Sequence, residues 1–115
     1  MTEDGWEPEA GDLVWTDFDP RTGREQGGRR PALIVSPRAF WQATRIAIVC
    51  PITTRVRPFP SSAVLPPGPP ISGEILTSHV RSIDTMARPL LFSGERAPSA
   101  ILAEVRGKLA ALIGL

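Results

Sequence analysis

Residues 25 to 31 read Glu25-Gln26-Gly27-Gly28-Arg29-Arg30-Pro31 and run directly into the apolar stretch Ala32-Leu33-Ile34-Val35. A polar, cationic, glycine-bearing loop therefore feeds a segment that reads as a buried strand. An arginine at such a junction has its backbone held by a rigid element and its guanidinium directed at a loop. Guanidinium presents a planar fork of donors and stays charged, which suits recognition of a phosphate. A second polar cluster, Thr53-Thr54-Arg55, follows another apolar run, Ile46 to Ile52. If those two strands are antiparallel neighbours, the start of one lies beside the end of the other, and Arg30 and Thr53 meet at one end of a sheet. The plainer alternatives are that Thr53 serves only as a β-former and that Arg30 makes a surface salt bridge with Glu25 or Asp17.

Other chemistries find little support. His79 is the single histidine, so acid–base catalysis by two histidines within one chain is excluded. No CxxC, HExxH or calcium-loop spacing is present, and neither phosphate-binding glycine fingerprint occurs, so the sequence calls for no metal and no cofactor. Cys50, the single cysteine, sits in an apolar run and reads as a small buried hydrophobe. It provides no internal disulfide, which fits a reducing, cytoplasmic setting.

The elements that must hold these residues are short. The 115 residues suit one domain, and 13 prolines with 10 glycines favour many turns over a helical bundle. Residues 1–10 read as a loose leader and 11–115 as the domain. Strands are expected at Leu13–Phe18, Pro31–Ser36, Arg45–Ile52, around Ala63–Leu65, at Glu74–Thr77, at Val80–Met86 and at Ala87–Phe92. Pro51 cannot donate a ladder hydrogen bond and predicts an edge or a bulge. Ile101, Leu102, Val105, Leu109, Leu112 and Ile113 share one helical face, with Pro98 suited to its first turn and Gly114 to its end. The fold class that follows is mainly β with a C-terminal helix, a small antiparallel barrel with the helix packed on it. No apolar run approaches the roughly 20 residues of a membrane span, and the acidic N-terminus does not resemble a signal peptide.

The net charge of +1 hides an asymmetry. Residues 1–19 hold seven acids and no Lys or Arg; residues 20–58 hold eight arginines and the one acid Glu25. Such a local cationic field attracts polyanions, although an arginine-rich solvated surface reads the same way.

In order along the chain, Gly11-Asp12-Leu13-Val14-Trp15, Asp17-Phe18-Asp19-Pro20, the Glu25–Ser36 block, Pro51-Ile52-Thr53-Thr54 and Val80-Arg81-Ser82-Ile83-Asp84 closely resemble the MazF/PemK (Kid) toxins of type II toxin–antitoxin systems. The resemblance implies an SH3-like barrel of the CcdB/MazF type, a homodimer, and a sequence-specific, metal-independent endoribonuclease. Its products on single-stranded RNA would be 2′,3′-cyclic phosphate and 5′-hydroxyl ends. It also implies a cognate antitoxin with an acidic, partly disordered tail. It maps the catalytic arginine onto Arg30, the catalytic threonine onto Thr53 and the block's acid, a candidate base, onto Glu25. Arginine, with a pKa above about 12, is a poor general base, so its expected role is to stabilise charge on the phosphorane. Thr53 would position a phosphate oxygen.

Candidates for the RNA groove, where unpaired bases are stacked and read at their edges, are Gln26, Gly28, Arg29, Arg55, Arg57, His79 and Arg81. Trp15 reads as core and Trp41 as a loop residue. The segment 56–73, beginning Val56-Arg57-Pro58-Phe59-Pro60, departs from the better-known relatives. Two other functions stay open at this stage: a CcdB-like gyrase poison, against which the polar block argues, and a non-catalytic SH3-like binding module.

Overall fold

In the computed structural model, residues 5–18 and 29–115 are described. Among the described residues, seven strands and two helices follow one another: β1 Asp12–Thr16, β2 Arg30–Ile34, α1 Arg38–Thr44, β3 Ile46–Thr53, β4 Ala63–Val64, β5 Glu74–Ile75, β6 Arg81–Asp84, β7 Leu91–Arg96 and α2 Ser99–Leu112. A 3-10 turn, Thr77–His79, joins β5 to β6. All pairings are antiparallel, in the order β4-β5-β3-β2-β1-β7 with β6 also on β3, and the sheet forms a half-barrel.

Alternation along the strands gives the sheet a core on each face. Leu13, Leu33, Cys50 and Ile52 face one cluster, closed by Leu65, Ile71 and Val105 of α2. Val14, Ala32, Ile34, Val49 and Ile83 face the other, against which Trp6, Phe18, Leu90 and Phe92 pack. On α2 four of the six residues of the expected face pack inward. Val105 is buried and Ile101, Leu102 and Leu109 pack on the core, but Leu112 and Ile113, at the helix's C-terminal end, are exposed. Pro98 stands one residue before the helix. Gly114, at φ +83°, ends it as expected: its N–H reaches Ala111 O and the Leu115 N–H reaches Ala110 O, a Schellman closure.

Several sequence expectations change. Residues 38–44 form a helix too short for its period to show, and Trp41 on it is buried, its Nε1 donating to Thr85 Oγ1 at 3.0 Å. Trp41 is therefore no loop residue open to a ligand. Arg45 does not begin β3. It caps α1 at φ 65°, with its guanidinium 4.4 Å from the Trp41 ring centroid and donating to Gln42 O. Pro51 lies in the central strand, not at an edge or a bulge. Its carbonyl accepts the Leu76 N–H, so its missing donor faces the same side, in the gap where β6 has ended and β5 begins. The last strand starts at Leu91, not Ala87, because Asp84 folds residues 85–88 into a turn: its carboxylate takes the Met86 N–H and its carbonyl those of Ala87 and Arg88. Gly94, at φ +91°, sits at the register break that lets β7 continue beyond the expected end.

Residues 6–10, read as a loose leader, are tied down. Trp6 stacks on Phe92 at 5.0 Å and donates to the buried Asp12 carboxylate, which also pairs with Arg96 at 2.6 Å.

Candidate active site

The β2–β3 register pairs Ala32 with Pro51, Leu33 with Cys50 and Ile34 with Val49. Carried two residues further, it sets Arg30 opposite Thr53. On the other side of β2, Arg30 pairs with Thr16 of β1. Opposed residues on antiparallel strands project to one face with Cβ atoms about 5 Å apart. Thr16, Arg30 and Thr53 thus form a row across three strands at one end of the sheet. Arg30 is exposed and Thr53 half-buried.

The end of β3 is locally organised. Thr53 Oγ1 accepts the Arg55 N–H at 3.1 Å, a turn that uses a lone pair and leaves the hydroxyl proton to donate outward. Beside it, Thr53 pairs with Glu74 of β5, and Gly73 presses on its backbone: a Cβ on Gly73 would lie 2.2 Å from the Thr53 carbonyl oxygen. The threonine is therefore held by a turn ahead of it and a close backbone approach at its flank.

The other predicted residues distribute around this row. Arg29, Arg55 and Arg57 are exposed and border it in sequence. His79 is exposed on the 3-10 turn and not in a strand. Arg81 opens β6 opposite Val49, four residues along β3 from Thr53 and so roughly 13 Å away. Its guanidinium lies 5.1 Å from the Phe18 ring centroid and donates to Phe18 O, as does Arg88. Glu25, Gln26 and Gly28 lie outside the described residues. Of the eight arginines of the cationic segment, Arg38 and Arg45 have structural duties, the first beside Glu7 and the second on α1.

Sequence reasoning passed over Glu74, which is fully buried. Its carboxylate accepts the Ser62 hydroxyl, the Arg57 N–H at 2.6 Å and the Phe59 N–H at 3.1 Å. These bonds, the Ser62 hydroxyl first, hold its pKa below the usual carboxylate value. The signal was present in one form: an acid inside an otherwise apolar strand, Gly73-Glu74-Ile75-Leu76. Thr16 was also passed over; it is buried, and its Oγ1 has no hydrogen-bond partner among the described residues. Cys50 is fully buried and its thiol pKa is pushed up to about 12 by that burial, as expected of a packing residue. No cluster of three or more metal-ligating side chains occurs among the described residues, and no helix is long and apolar enough to cross a membrane.

A small antiparallel half-barrel with a C-terminal helix defines a recognisable class. The model of the PemK-like, MazF-like toxins of type II toxin–antitoxin systems matches residues 9–113, and the chain belongs to that family. It is 38% identical to the endoribonuclease toxin MazF of Escherichia coli K12 over 107 residues, 93% of this chain and 95% of that one. It is 36% identical to the Escherichia coli endoribonuclease PemK, over 91% of this chain and 81% of that one. Among solved structures, MazF from Deinococcus radiodurans superposes with a TM-score of 0.83 at 44% identity, covering 96% and 99% of the two chains. A MazE–MazF complex from the same organism matches at TM-score 0.82 and 42% identity, over 96% and 98%.

Proposed function

We propose that the chain is a toxin of this family acting as a sequence-specific endoribonuclease on single-stranded RNA. The observation that carries the reading is the β2–β3 register, Ala32 on Pro51, which carried two residues further brings Arg30 and Thr53 to the same end of the sheet. Attack by the neighbouring 2′-hydroxyl on the phosphorus needs an in-line oxygen, a stabiliser for the growing charge and a route for two protons. It leaves a 2′,3′-cyclic phosphate and a 5′-hydroxyl, and it requires no activated water and hence no metal. Arg30, exposed on a rigid strand end, stabilises the pentacoordinate phosphorane by preorganised charge. The Thr53 hydroxyl, oriented by the Arg55 N–H, donates to a phosphate oxygen and holds the phosphate for in-line attack. Glu25 is the carboxylate assigned as candidate base. Arg29, Arg55, Arg57, His79 and Arg81, with Gln26 and Gly28, form the surrounding RNA surface.

The structural relatives include a MazE–MazF complex and an endoribonuclease in complex with its cognate antitoxin; for this chain the reading extends to a homodimer, active in the cytoplasm and held off RNA by a cognate antitoxin. An acidic, partly disordered tail on that antitoxin would compete with RNA for the arginine-rich field. The test is incubation of the purified protein with a long unstructured RNA in excess EDTA. Cuts at a defined sequence with cyclic-phosphate ends are the expected result. RNA left intact would overturn the reading in favour of a gyrase poison or a silent binding module.

A further inference from the structure

The stretch Val56-Arg57-Pro58-Phe59-Pro60 alternates proline with residues that keep an N–H. Pro58 and Pro60 have none, so Arg57 and Phe59 carry every backbone donor that residues 57–60 possess. Both donate to the Glu74 carboxylate, one to each oxygen. Ser62 closes the same loop onto that carboxylate through its hydroxyl. Two further side chains fasten the loop: the Thr77 hydroxyl donates to Ser61 O, and Lys108 Nζ donates to Ser62 O at 2.7 Å. Glu74 is fully buried, and no ion pair to it occurs among the described residues. A buried carboxylate is costly unless donors surround it. Here the donors are those of one loop, and the acid itself pairs with Thr53 across β5 and β3.

We propose that Glu74 is a positioning residue: its carboxylate fixes the 57–62 loop so that the Arg57 guanidinium is presented to RNA beside Thr53. The proposal rests on the reading of Arg57 as an RNA contact. Glu74 touches no substrate; it acts through the Arg57 backbone. The Thr53 hydroxyl is held separately, by the Arg55 N–H, so loss of Glu74 moves binding more than the chemical step. The alternating prolines also gain a reason, because they stiffen residues 57–60, whose two backbone N–H groups share the Glu74 carboxylate.

The test compares wild type with Glu74→Gln, Arg57→Ala and the double variant by steady-state RNA cleavage. Amide exchange at Arg57, Phe59 and Cys50 is followed in parallel. The amide end of Gln brings donors where acceptors are needed, so Arg57 and Phe59 are expected to exchange at least about tenfold faster while Cys50 in β3 is unchanged. KM should rise about tenfold with kcat within about twofold, and the double variant should match Arg57→Ala alone, because both changes remove one interaction. Additive effects, or a wild-type KM for Glu74→Gln where Arg57→Ala raises it, would overturn the positioning role. A wild-type KM for Arg57→Ala would instead remove Arg57 from the RNA surface, and the proposal with it. If Glu74→Gln does not fold, Ser62→Ala removes one donor without altering the carboxylate. A smaller rise in KM, absent in the Arg57→Ala background, then supports the role, and no rise opposes it.

Discussion

Gly73→Ala should be among the most damaging single-methyl changes in the chain, and the structure separates its two costs. Gly73 has φ +128°, a conformation that L side chains rarely adopt, and its added Cβ would lie 2.2 Å from Thr53 O and 2.9 Å from Thr53 C. Both are backbone atoms, so no side chain can swing away; β5 must move off β3. Backbone strain costs about 1–3 kcal/mol, and overpacking adds about 1–3 kcal/mol. Gly94→Ala supplies the control: φ is +91°, but nothing lies within 4 Å of its Cβ, so it bears the strain alone. The expected losses are about 2–6 kcal/mol for Gly73→Ala and about 1–3 kcal/mol for Gly94→Ala. For a domain of this size these correspond to Tm drops of roughly 8–24 °C and 4–12 °C. Urea titration followed by tryptophan fluorescence, with thermal melts by circular dichroism, measures both. Below its own Tm, Gly73→Ala should also cleave RNA poorly, because the displaced β5 is the strand that flanks Thr53 at the end of β3, whereas Gly94→Ala should retain activity. Equal destabilisation by the two variants would refute the argument that β5 abuts the Thr53 backbone.

Thr16→Val exchanges a buried hydroxyl that has no hydrogen-bond partner among the described residues for a methyl of similar shape. It should stabilise the protein by about 1 kcal/mol, read as a higher urea midpoint; a lower midpoint would show that the hydroxyl has a partner. Cys50, fully buried with a thiol pKa of about 12, should react with a disulfide reagent at pH 8 no faster than the protein unfolds. Rapid modification of the native protein would contradict that burial.

The apolar runs that form the central strands were legible because short continuous apolar stretches bounded by turn residues report strands buried on both faces. The C-terminal helix was legible because its period holds from Ile101 to Leu109. Arg30 and Thr53 could be brought together from sequence because antiparallel neighbours place a strand's start beside its partner's end. Other features depend on tertiary closure and left no periodic trace. Seven residues make α1, too few to establish a helical face, so Trp41 looked unconstrained until Thr85 provided its acceptor. Pro51 looked like an edge residue because sequence does not say which side of the strand lacks a donor. Glu74 looked like an ordinary strand acid because its three donors come from a loop 12 to 17 residues away. The resemblance located the family, but the common acceptor of the Arg57 and Phe59 amides, Glu74, exists only in the fold.

The central claim is that Arg30, set opposite Thr53, stabilises the charge that develops on the scissile phosphate. Single-turnover cleavage of RNA in excess EDTA, at saturating protein, tests it with Arg30→Ala against wild type, each shown to be folded by its melt. Removing one preorganised donor to such a charge typically costs about 10²–10³ in rate, and a loss of that size with the fold intact is the predicted result. Cleavage by Arg30→Ala at the wild-type rate would contradict the account.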